Sequence, residues 1–259
     1  MSDVTAEELM AITASRLLAD HKVVFAGVGM PLLASGLARH RHAPHLTIVL
    51  EGGIIGTSLL PGKLPISTNE MRAAYGAQML TDITDIFLYA QRGFFDYGFL
   101  GAAQVDMYGN INTSVIGTME HPRVRLPGTG GANDIISLCN EVLIVTQHEP
   151  RRFVERVDFV TSPGYLSGGD SRVRAGLING RLGAVVTDLA LLDFEPASRR
   201  MRLAALQPGV TVAQVREQTG FDLLVSDEIT ELTPPSAEEI AIYRELRDGP
   251  VAEPAEVAS

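Results

Sequence analysis

The chain has 259 residues, of which 46% are hydrophobic and 20% charged, and 31 acidic against 21 basic residues give a formal net charge of -10. The length suffices for one large domain or two small ones, and the apolar fraction excludes a natively disordered chain. The acidic balance argues against a general nucleic-acid binder, and it would repel an anionic ligand unless positive charge comes from elsewhere. The single cysteine excludes a disulfide framework and a cysteine-rich zinc site, and it suits the reducing cytosol.

The first ten residues are acidic and helical in pattern, without a basic region leading into an apolar stretch. A secretory signal is therefore not expected. Charges, glycines or prolines interrupt every apolar run well before the ~18 residues that a membrane span needs. We expect a cytoplasmic protein without a membrane segment.

The N-terminal region alternates predicted helices with short apolar strands. Thr5 and Glu8 have the spacing of a capping box, and Pro31 suits the first turn of a helix. Strands that are apolar along their length and end on Gly-rich turns are typical of a parallel sheet covered by helices. The predicted elements are a helix after residue 5, a strand at 22–26, a helix at 31–40 and a strand at 46–50.

The rest of the chain continues this pattern and then becomes richer in strands. Ser67 and Glu70 have capping-box spacing, and Glu195-Pro-Ala-Ser198 has the composition of a hairpin turn. The predicted helices lie at 71–80, 81–92, 134–139 and 211–219, with a last one capped by Ser236 and ending near residue 247. The predicted strands lie at 97–105, 110–116, 141–146, 157–161, 182–194 and 201–206. These patterns predict an α/β fold: an open, mostly parallel sheet with flanking helices and late antiparallel strands.

The organisation of the chain favours one domain over residues 1–249. No internal repeat and no linker divides it. Residues 250–259 are rich in Pro, Ala and Glu, a composition that predicts a flexible C-terminal tail.

Three Gly-rich features follow predicted strands, at the edge of an open α/β sheet where ligands bind. They are Gly27-Val-Gly29, Glu51-Gly52-Gly53 and Gly128-Thr-Gly-Gly131. Glu51 is either a partly solvated residue at a strand end or a carboxylate nucleophile exposed on a tight turn. The Gly128 loop is either a plain turn before a helix or a set of backbone N–H donors for an oxyanion. The first feature lacks the third glycine of the dinucleotide fingerprint, which argues against nicotinamide binding.

Other polar candidates are weaker. His148 and Arg151-Arg152 could bind an acidic group, but a solvated strand end with surface ion pairs is the preferred interpretation. His40, His42 and His45 have no cysteine or carboxylate near them in the sequence, so we interpret them as surface residues and expect no metal site. Cys139 is interpreted as a small core residue.

Seven sequence blocks together resemble family I CoA-transferases, most closely the β subunit of the glutaconate CoA-transferase type. The central block, around Glu51, resembles the Ser-Glu-Asn-Gly-apolar-apolar-Gly motif of that family. The resemblance extends over nearly the whole chain, and several blocks in one order are more specific than any one alone. The blocks are Val28-Gly-Met-Pro-Leu32, Leu50-Glu-Gly-Gly-Ile-Ile-Gly56, Gly101-Ala-Ala-Gln-Val-Asp106 with Tyr108-Gly-Asn110, Gly128-Thr-Gly-Gly-Ala-Asn133, Gln147-His-Glu-Pro-Arg-Arg-Phe153, Thr161-Ser-Pro-Gly164 and Thr219-Gly-Phe-Asp222.

The resemblance implies the CoA-transferase fold and a covalent mechanism, with coenzyme A as co-substrate and no permanently bound cofactor. Glu51 occupies the position of the nucleophile that forms a glutamyl-CoA thioester. Gly130 and Gly131 match the glycine pair to which the family's oxyanion hole is assigned. The residues expected to border CoA and substrate are Gly27, Gly29, Gly52, Gly53, Ala102, Gln104 and Asn133.

The resemblance also implies a partner. Chains of this family pair with an α subunit of similar fold, so we expect an α2β2 or larger heteromer that moves CoA between an acyl-CoA and a small, dicarboxylic acid. The alternatives are an acyl-CoA hydrolase or decarboxylase on the same fold and, from another class, a non-catalytic binding or regulatory subunit. Leu50 and Gly52 depart from the Ser and Asn of the motif. The retained Glu51 favours the transferase, because relatives with the other activities have replaced this glutamate.

Overall fold

Residues 4–250 are described by a computed structural model of the chain. The predicted tail, apart from Pro250, lies outside these residues. The α-helices are Ala6–Ser15 (α1), Met30–Arg41 (α2), Ile83–Gln91 (α3), Ala132–Leu138 (α4), Ser171–Arg174 (α5), Val212–Glu217 (α6) and Ala237–Asp248 (α7), with a 3₁₀ turn at Met71–Ala74. Within the same range, no helix has the length and apolarity to cross a membrane.

Within residues 4–250, ten strands form one sheet, and four more form two small hairpins. The first seven strands are Val23–Phe25 (β1), Thr47–Leu50 (β2), Ile54–Ile55 (β3), Met79–Leu80 (β4), Tyr97–Leu100 (β5), Gln104–Val105 (β6) and Ile111–Asn112 (β7). The others are Val115–Gly117 (β8), Pro122–Arg125 (β9), Glu141–Val145 (β10), Arg181–Val186 (β11), Ala190–Phe194 (β12), Met201–Leu206 (β13) and Leu224–Glu231 (β14). The small hairpins are β6–β7 and β8–β9.

The large sheet has the order β14-β13-β12-β11-β10-β5-β1-β2-β3-β4. Its five central strands, from β11 to β2, are parallel, whereas β12 and β13 on one side and β3 and β4 on the other are added as antiparallel strands. The prediction of a mostly parallel sheet with late antiparallel strands is confirmed. A parallel centre places the carboxyl ends of β1, β2, β5 and β10 along one edge.

The central strands of the sheet are buried on both faces. In β1, Val24 packs with Met10 and Leu32 of α1 and α2, and Phe25 packs on the other face with Ile86 and Ile136 of α3 and α4. Burial of alternate residues on both faces explains why the central strands are apolar along their length.

Several predicted elements differ from the structure. The predicted helix at 71–80 is wrong: it is a 3₁₀ turn and the short strand β4, separated by Gly76 at φ +62. Residues 157–161 form no strand, and 97–105 is divided into β5 and β6 near Gly101. Likewise, 182–194 is a tight antiparallel pair rather than one strand. The capping boxes of α1, α6 and α7 are present.

Candidate active site

Glu51 lies at the carboxyl end of β2, where the chain turns back on itself. Gly53 N donates to Leu50 O at 3.2 Å, and Leu50 pairs with Ile54 in the antiparallel strand β3. The Leu50 side chain is fully buried, whereas Glu51 is half-buried. The fixed strand therefore presents the carboxylate at the edge of the sheet where the parallel strands end.

Two glycines let other segments pack directly on this turn. A Cβ placed on Gly52 would lie 2.2 Å from Asn69 Oδ1, and one on Gly53 would lie 2.1 Å from Thr81 O. Gly53 also has a φ of +96, a backbone conformation that residues other than glycine rarely adopt. Both glycines thus allow close packing by the chain itself, and their predicted contact with substrate stays a prediction.

The Gly-rich loop reaches the Glu51 carboxylate. A Cβ placed on Gly131 would lie 3.1 Å from Glu51 Oε1 and 2.9 Å from Phe87 Cζ. Gly131 has a φ of -80 and precedes α4, so space rather than backbone conformation requires glycine there. Gly128 and Gly130 have φ values of +96 and +47. The structure therefore brings together Glu51 and the predicted oxyanion loop, which are far apart in the sequence.

The Glu51 carboxylate is unpaired within residues 4–250. It accepts no hydrogen bond and forms no ion pair with any residue of that range. A carboxylate held by an arginine would be a poor nucleophile, because its lone pairs would be engaged. Glu51 is thus positioned by its backbone and by packing, with both oxygens available for chemistry.

The connection between β7 and β8 supports the Gly-rich loop. Thr113 Oγ1 donates to Gly128 O at 2.8 Å, and Gly128 N donates to Thr113 O at 2.9 Å. Asn133 N donates to Thr129 Oγ1 at 3.1 Å, which closes the loop onto α4. The sequence did not predict the role of Thr113, because no local pattern indicates which residue a single threonine between two short strands will contact.

The other predicted site residues divide into two groups. Gly27 and Gly29 form an open turn after β1, where an added Cβ would meet no atom of residues 4–250 within 4 Å. Asn133 is exposed in the first turn of α4. Ala102 and Gln104 are buried; the Gln104 carboxamide contacts Asn112 and Asp158.

Ala102 O accepts hydrogen bonds from Arg152 Nη1 at 2.8 Å and Thr146 Oγ1 at 3.1 Å. Ala102 and Gln104 thus connect the segments that carry Arg152, Thr146, Asn112 and Asp158. Their predicted contact with CoA or substrate stays a prediction.

His148 is not part of a solvated strand end, and that expectation is wrong. The ring is buried, stacks on Phe153, and contacts Thr187 and Thr219 through Nδ1 and Nε2 at 3.1 and 2.9 Å. Burial lowers the pKa of His148 to about 4, so the ring is neutral at pH 7. The neighbouring Arg151 does form the expected surface ion pair, with Glu149.

The remaining candidates lie away from Glu51. Cys139 is a buried core residue, as predicted, and burial raises the pKa of its thiol to about 12. His45 has a carboxylate neighbour that the sequence did not indicate: its Nδ1 lies 3.0 Å from Asp20 Oδ2, and its ring stacks on His21. These three residues could offer ligands to a metal, but they lie at the opposite ends of β1 and β2 from Glu51.

Comparison with known sequences assigns the chain to a family. A sequence model for coenzyme A transferases matches residues 7–218. The B subunit of 3-oxoadipate CoA-transferase from Pseudomonas knackmussii is 40% identical over 247 residues, covering 95% of this chain and 94% of the relative. The B subunit of glutaconate CoA-transferase from Acidaminococcus fermentans is 36% identical over 254 residues, covering 95% and 94%. The chain therefore belongs to the coenzyme A transferase family.

Solved structures agree with this assignment. The crystal structure of glutaconate coenzyme A-transferase from Acidaminococcus fermentans matches with a TM-score of 0.88 at 33% identity, over 95% of this chain and 96% of that chain. The decarboxylase AibA/AibB matches with a TM-score of 0.79 at 26% identity, over 94% and 95%. The predicted family, fold and enzyme class are confirmed.

Proposed function

We propose that this chain is the β subunit of a heteromeric CoA-transferase that moves CoA between an acyl-CoA and a carboxylic acid through a thioester on Glu51. The observation that carries the proposal is the unpaired Glu51 carboxylate, placed against Gly131 at the edge of the sheet. The two transferases named above act on 3-oxoadipate and glutaconate, both dicarboxylic acids, which supports a dicarboxylate as substrate. We expect the enzyme to be cytoplasmic.

The proposed reaction exchanges bonds without a net change in protons or electrons. A Glu51 oxygen attacks the thioester carbonyl, the C–S bond breaks, and the products are an acyl-glutamyl anhydride and CoA thiolate. The thiolate then attacks the glutamyl carbonyl, and the C–O bond to the acyl group breaks. This step releases the donor acid and leaves glutamyl-CoA. The acceptor carboxylate passes through the same two steps in reverse, which forms the new acyl-CoA and regenerates Glu51.

The local structure suits this chemistry. A carboxylate is a weak nucleophile, so its rate depends on position, exclusion of water and donors for the developing oxyanion. We propose that the N–H groups of Gly130 and Gly131 are those donors. The open turn at Gly27 and Gly29 would let CoA approach the same edge.

An α subunit completes the proposed enzyme. CoA carries several negative charges, whereas this chain has a formal net charge of -10, and no cationic side chain of residues 4–250 is paired with Glu51. We expect the α subunit to supply positive charge for the CoA phosphates and the second carboxylate. The isolated chain should therefore bind CoA weakly, and tight binding measured by calorimetry without a partner would contradict this expectation.

The covalent intermediate gives a direct test. The co-purified α and β subunits are incubated with acyl-CoA, reduced with borohydride or cleaved with hydroxylamine, and digested for mass spectrometry. We expect the modification on Glu51 and exchange of CoA between acids. Glu51→Gln should lose at least about 10³-fold in kcat, because the nucleophile is gone. Glu51→Asp, one methylene shorter, is the matched variant that keeps the charge.

A decarboxylase is the second candidate, because AibA/AibB shares the fold closely. The same incubation separates the activities: release of carbon dioxide or hydrolysis of acyl-CoA, without any adduct on Glu51, would disprove the transferase. Complexes of both subunits that turn over no acyl-CoA would instead indicate a binding or regulatory subunit.

A further inference from the structure

One cluster of side chains outside the proposed active site has the composition of a metal site. Asp20, His21 and His45 each offer one ligand atom, and these three atoms lie within 4.8 Å of one another. Two imidazoles and one carboxylate are a ligand set that suits zinc and related divalent transition metals. The sequence did not indicate this cluster, because His45 is 25 positions from Asp20.

The cluster lies between two loops, at the end of the sheet opposite the proposed active site. Asp20 and His21 belong to the loop between α1 and β1, and His45 belongs to the loop between α2 and β2. The parallel pairing of β1 with β2 holds the loops together, and Thr47 N donates to Lys22 O at 2.8 Å beside the cluster. The amino ends of β1 and β2 thus carry these side chains, whereas the proposed nucleophile follows the carboxyl end of β2.

The carboxylate of the cluster is already oriented toward both rings. His45 N donates to Asp20 Oδ1 at 2.7 Å, which fixes the carboxylate through its first oxygen. The second oxygen, Asp20 Oδ2, lies 3.0 Å from His45 Nδ1 and 3.5 Å from His21 Nε2. Tetrahedral zinc ligands, bound at about 2.0–2.1 Å, lie about 3.3 Å from one another, so both distances suit a shared ion. A hydrogen bond to the other carboxylate oxygen is the kind of outer contact that orients a metal ligand.

The two histidine rings are held close together and remain accessible. His21 has a φ of +58, a left-handed conformation that is uncommon for residues other than glycine but more frequent for histidine than for most. Its ring stacks on that of His45, with centroids 4.4 Å apart and 6° between the planes. The side chains are 75% and 64% exposed, so the rings can rotate to direct one nitrogen each at the same ion.

No lysine or arginine competes for the carboxylate. Within residues 4–250, the ion-pair partners of Asp20 are the two histidines, and the neighbouring Lys22 Nζ pairs instead with Asp96 at 3.0 Å. His42, in the same loop as His45, contacts the other loop at Leu18 O, at 2.9 Å from its Nε2. The formal net charge of -10 also favours a bound cation at this surface.

We propose that Asp20, His21 and His45 form a site for a divalent transition metal of the zinc type, bound through Asp20 Oδ2 and one ring nitrogen of each histidine. Three protein ligands leave a fourth position to water. The ion joins the loop before β1 to the loop before β2 and stabilises that end of the sheet. Magnesium and calcium suit the site poorly, because they prefer oxygen ligands. The site has no part in the proposed CoA transfer and does not depend on it.

Zinc binding to the full-length chain tests the proposal. The chain carries no histidine tag, which would itself bind zinc, and a chelator first removes all metal. Calorimetry should show one zinc ion per chain, and X-ray absorption should show nitrogen and oxygen ligands at about 2.0–2.1 Å. At free zinc about 100-fold above the dissociation constant, the melting temperature should rise by about 5 °C. Magnesium at the same concentration should raise it far less.

Single substitutions identify the ligands. Outer contacts alone change metal affinity about 10–100-fold, so His21→Gln, His45→Gln and Asp20→Asn should each weaken zinc binding at least about tenfold. His40→Gln is the matched control, because it removes an exposed histidine of α2 that lies outside the cluster. Both cluster histidines are exposed, so their variants should keep the circular dichroism and melting temperature of the metal-free wild type.

Three results would overturn the proposal. The first is no zinc binding by the wild-type chain. The second is wild-type affinity in the variants of His21 and His45, or an equal loss of affinity in His40→Gln. The third is equal stabilisation by magnesium, which would indicate general screening of an acidic chain. None of these measurements needs acyl-CoA, so failure of the proposed CoA transfer would leave the metal site intact.

Discussion

The edge of the sheet that carries Glu51 and the helical face formed by α1 and α7 use glutamate in opposite ways. Glu51 is half-buried and has no partner within the described chain, whereas Glu8 and Glu239 on α1 and α7 are almost fully buried and paired. Arg16 donates to both Glu239 oxygens at 2.8 and 2.7 Å, and Arg244 donates to both Glu8 oxygens at 2.6 and 3.1 Å. The paired glutamates connect α1, near the start of the described chain, with α7, near its end. Glu51, which has no such pair, is the nucleophile of the proposed reaction.

Under the proposed function, one residue type is divided between stability and chemistry. A buried carboxylate with a bidentate arginine and a backbone cap is satisfied in the folded state and holds its neighbours in place. A carboxylate that must attack a carbonyl is held by its backbone and by close packing. Removing either residue should therefore affect one property and leave the other nearly unchanged.

Among substitutions that keep Glu51, the largest expected effect tests the packing around its carboxylate. Gly131→Ala adds a Cβ only 3.1 Å from Glu51 Oε1 and 2.9 Å from Phe87 Cζ, so the carboxylate must move. Because Gly131 has an ordinary φ of -80, the backbone itself is not strained by the change. We expect kcat of the assembled enzyme to fall about 100-fold, with at most about 1 kcal/mol lost from the free energy of unfolding. A variant with full activity would show that Glu51 does not act from this position.

The sequence predicted the position of Glu51 at the edge of the sheet better than the long-range contacts that hold the fold together. Glu51 and its glycines follow a buried strand directly, so their position at the edge of the sheet could be read locally. The capping boxes at Thr5 and Ser236 were equally local and are confirmed. The Glu8–Arg244 pair joins residues 236 positions apart, which no local pattern indicates.

The same limit explains the wrong helix at 71–80. The capping-box spacing of Ser67 and Glu70 favoured a helix, but no side-chain cap forms, Gly76 adopts φ +62 and Met79 pairs with Ile55 in β3. Tertiary pairing decided the conformation against the local pattern. The large apolar side chains of this segment are left exposed: Met71, Tyr75, Met79 and Leu80.

The intermediate effect tests the paired glutamate. Burial alone would raise the pKa of Glu239. The hydrogen bonds from Arg16 and from the Ser236 cap outweigh burial and lower the pKa to about 2. A carboxylate with a lowered folded-state pKa stabilises the protein above its unfolded pKa, and this contribution is lost as pH falls from about 4.5 toward 2. Glu239→Gln should therefore reduce the free energy of unfolding by about 1–2 kcal/mol at pH 7.

The pH dependence and the kinetics distinguish the two glutamates. The loss in Glu239→Gln should shrink as the pH approaches 2, and kcat of the complex should stay within about twofold of wild type. Glu51→Gln should do the reverse, with an unchanged melting temperature and no turnover. Denaturant unfolding at several pH values measures the first property. A destabilised Glu51→Gln variant would contradict the assignment of that carboxylate to chemistry alone.

The smallest expected effect concerns the support of the Gly-rich loop. Thr113 donates to Gly128 O at 2.8 Å, and Thr113→Val keeps the shape of the side chain while removing this hydrogen bond. The loss should cost about 1 kcal/mol. Because the Gly-rich loop carries the proposed oxyanion donors, a loop that shifts without this hydrogen bond should lower kcat about fivefold, while KM for acyl-CoA changes little. Ser114→Ala is the matched control, because the neighbouring hydroxyl contacts Thr161 at 2.7 Å rather than the loop. Equal kinetics for the two variants would show that Thr113 holds the loop for stability only, and that Glu51 and Gly131 keep their positions without it.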